Sequence, residues 1–158
     1  MKSPVQTISP PTRREFCASA CQFASLAAAA GLAACGSPSS PSSTAPPLPS
    51  VSGTVSGRTV SVTIDGGSAL AAVGSAAILQ TSLGTFLVAH TGQDSFNVLT
   101  AICTHEQCTI TGFSNNQFAC PCHGSRYTTA GAVANGPATR ALQQFPSQFS
   151  NGILTFTA

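Results

Sequence analysis

Beyond residue 50 the chain alternates short apolar or β-branched runs with turns, and none of it repeats apolar residues at a helical period. Such runs cover residues 59–64, 77–81, 85–89, 96–102 and 153–157. Asn115-Asn116 and Asn151-Gly152 are typical of two-residue hairpin turns, and glycine-containing turns separate the other runs. The pattern predicts one all-β domain of antiparallel strands over residues 51–158, because a stretch of this length can build a single compact core but not two.

The first 35 residues have a different pattern. Arg13 and Arg14 precede an uncharged, alanine-rich stretch over residues 16–34, and this order resembles a twin-arginine export signal. Leu32-Ala33-Ala34-Cys35 resembles a lipobox, in which Cys35 becomes the lipid-bearing first residue of the mature protein. The alternative is an uncleaved membrane anchor, because the stretch approaches the roughly 20 residues that cross a bilayer. We therefore expect an exported protein, tethered at the periplasmic or extracytoplasmic face of the membrane through lipidated Cys35 or an N-terminal anchor.

Residues 36–50 consist almost entirely of Ser, Pro, Ala, Thr and Gly. A segment of this composition buries too little apolar surface to offset the entropy lost on ordering. We therefore expect a linker over 36–50, between the signal segment at 1–35 and the domain at 51–158.

Charge and motif content exclude several classes of function. After Cys35 the chain holds three arginines and three acidic residues, so this part has no net charge. Nucleic acid is therefore not an expected partner, since its binding needs clustered cations. The chain also has no phosphate-binding glycine loop, no paired-carboxylate site and no nucleophile next to a base, and we expect no self-sufficient catalyst.

Two short segments carry soft metal ligands: Cys103-Thr104-His105-Glu106-Gln107-Cys108 and Cys120-Pro121-Cys122-His123-Gly124-Ser125. The candidate ligands are Cys103, His105, Cys120 and His123. Two thiolates and two imidazoles suit either one tetrahedral zinc ion or a two-iron cluster. Zinc ribbons usually offer pairs such as Cys-x2-4-Cys or His-x3-5-His, whereas each segment here offers one sulfur and one nitrogen. This mixed spacing favours the cluster.

The two segments together resemble the signature of the Rieske iron–sulfur family, Cys-x-His-x2-Cys followed by Cys-x-Cys-His-x-Ser, at every required position. The resemblance implies one bound [2Fe–2S] cluster, with Cys103 and Cys120 on one iron and His105 and His123 on the other. It also implies a Rieske-type antiparallel β domain with a small cluster-binding subdomain over about residues 102–128. His90, which ends an apolar run, is predicted to be a strand-end residue and not a ligand.

The resemblance assigns further residues around the cluster. Cys108 and Cys122 match the disulfide of the high-potential branch of the family. The alternatives are two free thiols near a metal site, and a redox sensor whose Cys108–Cys122 bridge is readily reduced. Ser125 and Tyr127 match a serine that bonds a bridging sulfide and a tyrosine that bonds a cysteine ligand, both of which raise the potential. The alternative is that Ser125 is an ordinary turn residue and Tyr127 an ordinary core residue. Residues 136–139 match three of four positions of the family's third loop, Gly-Pro-Ala-Pro, which covers the cluster.

These features imply an exported, membrane-tethered electron-transfer protein, the iron–sulfur subunit of an oxidoreductase of the quinol:cytochrome bc type or another type. The expected partners are redox proteins, either a cytochrome or another oxidoreductase subunit. Glu106 and Gln107 stand where respiratory members typically have Leu-Gly, and a carboxylate is poorly tolerated in a dry quinone pocket. A free-standing carrier and the small subunit of a molybdenum oxidase are therefore alternatives. Outside electron transfer, the alternative is a zinc-stapled β module that binds another envelope protein.

Overall fold

The computed structural model describes residues 45–158. The export signal, the lipobox with Cys35 and residues 36–44 of the predicted linker lie outside the described residues. The described part contains strands and no helix, which confirms the all-β prediction. It accordingly holds no helical segment with the length and apolar character needed to span a bilayer.

The strands are numbered in chain order. They are β1 Ser50–Val51, β2 Thr54–Ser56, β3 Thr59–Thr63, β4 Ala76–Thr81, β5 Gly84–Gly92, β6 Ser95–Thr100, β7 Gly112–Ser114, β8 Gln117–Ala119, β9 Arg126–Thr128, β10 Val133–Asn135, β11 Gln144–Phe145, β12 Ser147–Ser150 and β13 Ile153–Thr157.

The central sheet has the strand order β1-β4-β5-β6-β11, and its pairs are antiparallel except for β1 with β4. β4 and β5 are buried on both faces, because successive side chains of a strand point to opposite sides and here each side has its own core. Leu79 and Val88 enter one core, whereas Ile78 and Leu87 enter the other. The central sheet is therefore the middle layer of the fold.

The outer sheet, in the order β12-β13-β3-β2, closes the first core. β3 and β13 alternate strictly, so that Val60 and Leu154 are buried while their neighbours face outward. The predicted hairpin turn at Asn151-Gly152 joins β12 to β13, and both residues have the positive φ, 51° and 76°, that such a turn requires.

The small sheet, in the order β10-β9-β8-β7, closes the second core. The predicted hairpin at Asn115-Asn116 joins β7 to β8, again with both φ values positive. The segment 103–108 precedes β7, and the segment 120–125 joins β8 to β9. Both ligand segments thus adjoin a strand of the small sheet, which extends to Asn135, past the expected subdomain end at 128.

Residues 45–50, expected to be linker, pack against the domain. Leu48 is only 8% exposed and belongs to the second core. Its N–H donates to the carbonyl of Thr111, the N–H of Phe113 donates to the carbonyl of Pro46, and the N–H of Ile78 donates to that of Pro49. Within 36–50, Leu48 is the one large apolar residue, and its burial fixes the segment across the edges of the small and central sheets. The ordered domain therefore begins before residue 51.

His90 lies in β5 and is buried outside the ligand segments. Its Nδ1 is 2.8 Å from the carbonyl oxygen of Leu70, and its ring stacks on that of Phe96 with centroids 4.2 Å apart. This histidine therefore holds the 68–75 loop against the sheet as a structural residue.

Candidate metal centre

The two ligand segments are built in the same way. In the first, the N–H of Cys103 donates to the carbonyl of Cys108, and the N–H of Gln107 donates back to the carbonyl of Cys103. In the second, Cys120 makes the same pair of bonds with Ser125 and Gly124. Each segment is a tight loop that closes on its first cysteine. We call them loop 1 (103–108) and loop 2 (120–125).

A disulfide joins the two loops. Cys108 at the end of loop 1 is bonded to Cys122 in the middle of loop 2, with an S–S distance of 2.07 Å. This is the pairing implied by the family resemblance. Because the bonded sulfurs are not available as thiolates, the sulfur donors left in the two loops are Cys103 and Cys120.

The Cys103 and Cys120 side chains form the inner side of the site. They are 2% and 1% exposed, and their thiol groups are hydrogen-bonded to each other. Burial opposes ionisation of Cys103, but hydrogen bonds from Tyr127 and from the backbone N–H groups of His105 and Glu106 outweigh it, so its pKa lies below the ordinary value. Burial and the neighbouring Cys103 raise the pKa of Cys120 despite hydrogen bonds from the loop backbone. Thiolate formation is therefore favoured first at Cys103.

The two histidine rings form the outer side of the site. The side chains of His105 and His123 are 28% and 47% exposed, and their ring centroids lie 5.0 Å apart. The exposed carboxylate of Glu106 reaches both rings, with Oε1 3.9 Å from Nε2 of His105 and Oε2 3.6 Å from Nδ1 of His123. A negative charge thus lies directly against both candidate imidazole ligands.

This arrangement fits a two-metal centre better than a single zinc ion. Tetrahedral zinc with bonds of about 2.0 to 2.3 Å would draw all four donor atoms around one point. Among residues 45–158, the histidines instead group with Glu106 within 4.8 Å, and Cys120 groups with the disulfide sulfurs. Sulfur lies inside and imidazole outside, as expected when one metal takes both cysteines and the other takes both histidines.

The hydroxyl of Tyr127 contacts the inner side of the site. Tyr127 is fully buried in β9, and its oxygen lies 3.2 Å from Sγ of Cys103 and 3.0 Å from Oγ1 of Thr104. The Thr104 hydroxyl donates to the carbonyl of Arg140 at 2.6 Å, so its oxygen can only accept from Tyr127. The single Tyr127 proton can therefore be donated either to the cysteine sulfur or to the threonine oxygen.

The 136–140 segment lies over both loops. The N–H of Ala138 donates to Oγ of the buried Ser125 at 3.0 Å, which leaves the serine proton for another acceptor. The Thr104 bond to Arg140 ties the same segment to loop 1. The expected third loop is thus hydrogen-bonded to each ligand loop.

Sequence reasoning did not identify Thr104 as part of the site. It lies 23 residues from Tyr127 and 36 from Arg140 in the chain, and no local pattern signals contacts of that range. It also did not show that Glu106 reaches both histidines, although it marked Glu106 as a departure from the family pattern.

Comparison with known proteins agrees with this geometry. The family model of the Rieske [2Fe-2S] domain matches residues 52–146. The cytochrome b6-f complex iron-sulfur subunit of Cyanothece sp. (strain PCC 7425) is 43% identical over 60 residues, which cover 37% of this chain and 34% of that protein. The chain therefore matches about a third of the length of such curated relatives.

Solved structures resemble the same part of the chain. The plasma membrane Rieske protein from Synechocystis PCC 6803 is 30% identical, with a TM-score of 0.47, over 51% of this chain and 84% of that chain. Naphthalene 1,2-dioxygenase, at 14% identity and a TM-score of 0.51, covers 61% of this chain and 25% of its own, and shares the fold. Since the family model covers more than half of the residues and the paired Cys-His loops lie within it, the chain belongs to the Rieske [2Fe–2S] domain family and carries one cluster of that type.

Proposed function

We propose that this protein transfers single electrons as the iron–sulfur subunit of a membrane-bound oxidoreductase, with Cys103, Cys120, His105 and His123 as the cluster ligands. The observation that carries the proposal is the asymmetric donor set, two buried thiols beneath two exposed imidazoles. When bound, a cluster of this type takes up and releases one electron at a higher potential than clusters held by four cysteines. The exposed histidines then provide the edge through which a partner exchanges electrons.

Other residues of the chain adjust that centre. Tyr127 can donate its proton to a Cys103 thiolate, and among residues 45–158 the buried hydroxyl of Ser125 donates to no backbone carbonyl. Hydrogen bonds that withdraw charge from sulfur favour the reduced state and raise the potential. The disulfide between Cys108 and Cys122 holds the two loops at a fixed spacing.

The partners and the location belong to the same proposal. Relatives that match the chain are named cytochrome b6-f complex iron-sulfur subunits, which supports a redox complex with a cytochrome or another oxidoreductase subunit as partner. The twin-arginine motif at Arg13-Arg14 supports export, and Cys35 supports a lipid tether at the extracytoplasmic face. A free-standing carrier and the small subunit of a molybdenum oxidase use the same centre and are the alternative contexts.

Two experiments test the proposal. The full-length protein, produced with iron and sulfide, should show the electron paramagnetic resonance signal of a reduced Rieske centre and should lose its electron to a c-type cytochrome. A centre that cannot be reversibly reduced and reoxidised, either by a cytochrome or by dye mediators, would contradict an electron-transfer role.

Cell fractionation tests the tether. The wild type should be recovered with the membrane, Arg13→Lys/Arg14→Lys should stay in the cytoplasm, and Cys35→Ser should be released from the membrane in the exported fraction. Membrane retention of an uncleaved Cys35→Ser chain would favour the protein anchor instead.

A further inference from the structure

A groove runs beside loop 1 from His105 to the 140–143 segment. It has a volume of about 420 Å³ and is lined in part by Ile102, Thr104, His105, Gln107, Arg140 and Gln143. The groove therefore reaches His105 directly and is continuous with the surface through which electrons are exchanged under the proposed function.

Arg140 is the charged group of this groove, and its guanidinium has no acceptor among residues 45–158. The guanidinium groups of the other two arginines of the domain both donate hydrogen bonds within it. Arg58 donates to the carbonyl of Ala158 at 2.7 Å, and Arg126 donates to Oγ of Ser114 at 3.2 Å. Because the carbonyl of Arg140 is held by Thr104, the backbone that carries this unpaired cation is fixed against loop 1.

Gln107 gives an independent reason to regard the groove as a binding surface. Its φ is +57°, a left-handed conformation that costs a side-chain-bearing residue about 1 kcal/mol or more. The equivalent position of loop 2 is Gly124, with φ +75°. Loop 1 therefore keeps a strained residue where glycine would fit without strain, and the amide of that residue lines the groove that contains Arg140.

We propose, on the basis of the proposed electron-transfer function, that this groove docks a carboxylate on the surface of the protein redox partner. A guanidinium is the side chain best suited to hold a carboxylate, and the amides of Gln107 and Gln143 add neutral donors beside it. Ile102, which is exposed at the rim, supplies apolar contact. The carboxylate of Glu106 lies against both histidine rings, where it repels the partner's acidic group and so directs that group to Arg140.

The test compares two c-type cytochromes as oxidants of the reduced, cluster-loaded full-length protein, one with an acidic and one with a basic haem edge. Stopped-flow rates are measured at low and at high salt for the wild type, Arg140→Gln and the matched control Arg58→Gln, which removes the same charge from the outer sheet. Midpoint potentials and paramagnetic resonance spectra are recorded for each variant, so that docking is separated from driving force.

Arg140→Gln should lower the low-salt rate with the acidic cytochrome by about fivefold, which corresponds to the attraction between two opposite unit charges about 4 Å apart in water. It should not lower the rate with the basic cytochrome. The difference should shrink at high salt. Gln107→Gly should lower the same rate to a smaller extent, and Arg58→Gln should leave it unchanged. Equal losses with both cytochromes, or the same loss in Arg58→Gln, would overturn the docking proposal while leaving electron transfer intact. A wild-type centre that neither cytochrome oxidises would overturn the docking proposal, and one that cannot be reduced and reoxidised even by dye mediators would overturn the proposed function itself.

Discussion

Gln107 and Gly124 occupy the same position in the two ligand loops. Each donates its N–H to the carbonyl of the first cysteine of its loop, Cys103 or Cys120, and each has a positive φ. The backbone is therefore built in the same way in both loops, although the histidine follows the first cysteine by two residues in loop 1 and by three in loop 2. Two like loops, closed on their cysteines and joined by a disulfide, account for how a small sheet presents two sulfurs inward and two imidazoles outward.

This equivalence predicts opposite effects of two substitutions on stability. Gln107→Gly removes the left-handed strain, and the free energy of unfolding should rise by up to about 1 kcal/mol after the greater entropy of glycine in the unfolded chain is deducted. Gly124→Ala introduces the same strain and should lower the free energy of unfolding by about 1 to 2 kcal/mol. Chemical denaturation of both variants measures these changes. Destabilisation by Gln107→Gly would show that its side chain contributes more to folding than its backbone costs.

Glu106 should lower the reduction potential, because its carboxylate lies within 4 Å of both histidine rings and disfavours an added electron. Glu106→Gln should raise the potential by on the order of 40 mV, which corresponds to about 1 kcal/mol for a one-electron couple. The control is Asp94→Asn, which removes a carboxylate from the turn between β5 and β6. Redox titration of both variants measures the difference, and equal shifts would mean that overall charge and not this contact sets the potential.

Tyr127→Phe should raise the pKa of the Cys103 thiol in the metal-free protein. Burial opposes the thiolate, and the Tyr127 hydroxyl is the foremost of the hydrogen-bond donors that offset it. Titration of the ultraviolet thiolate absorbance should therefore place the first ionisation at higher pH in the variant than in the wild type. An unchanged first ionisation would indicate that the Tyr127 proton resides on Thr104.

The lowered pKa of Cys103 also gives a sign to the pH dependence of stability. Its thiolate favours the folded chain, so this contribution is fully present above the ordinary thiol pKa and is lost as the pH falls through the lower folded value. The pKa of Cys120 is raised in the folded chain, so its ionisation at alkaline pH favours the unfolded chain. Denaturation of metal-free Cys120→Ser across the alkaline range isolates the Cys103 contribution, which should increase with pH.

Leu48 should contribute to stability although it lies in a segment with the composition of a linker. Leu48→Ala should lower the free energy of unfolding by about 2 kcal/mol or more, since it empties a buried site in the second core. The matched control is Leu83→Ala, at a residue that is 39% exposed in a turn, and it should change stability by less than about 0.5 kcal/mol. A chain that starts at residue 45 should likewise be more stable than one that starts at 52. Equal stability of the two truncated chains would contradict the packing of this segment.

The predictions from sequence held where the signal is local. Hairpins at Asn115-Asn116 and Asn151-Gly152 follow from residues that tolerate positive φ, and β13 coincides with the apolar run at 153–157. The ligand loops were identified because their spacing is short and fixed. Leu48 and Thr104 were missed because their roles depend on partners far along the chain, namely Thr111 and Arg140. Two-residue strands such as β1 and β11 carry too few positions for any periodicity.

Metal and sulfide analysis of the purified full-length protein shows directly whether the chain binds a two-iron cluster. We expect two iron atoms and two acid-labile sulfides per chain, no zinc, and a Rieske-type paramagnetic resonance signal on reduction that is lost in His105→Ala and in Cys120→Ala. One zinc ion per chain with no labile sulfide, after production in iron-supplied cells, would contradict this expectation.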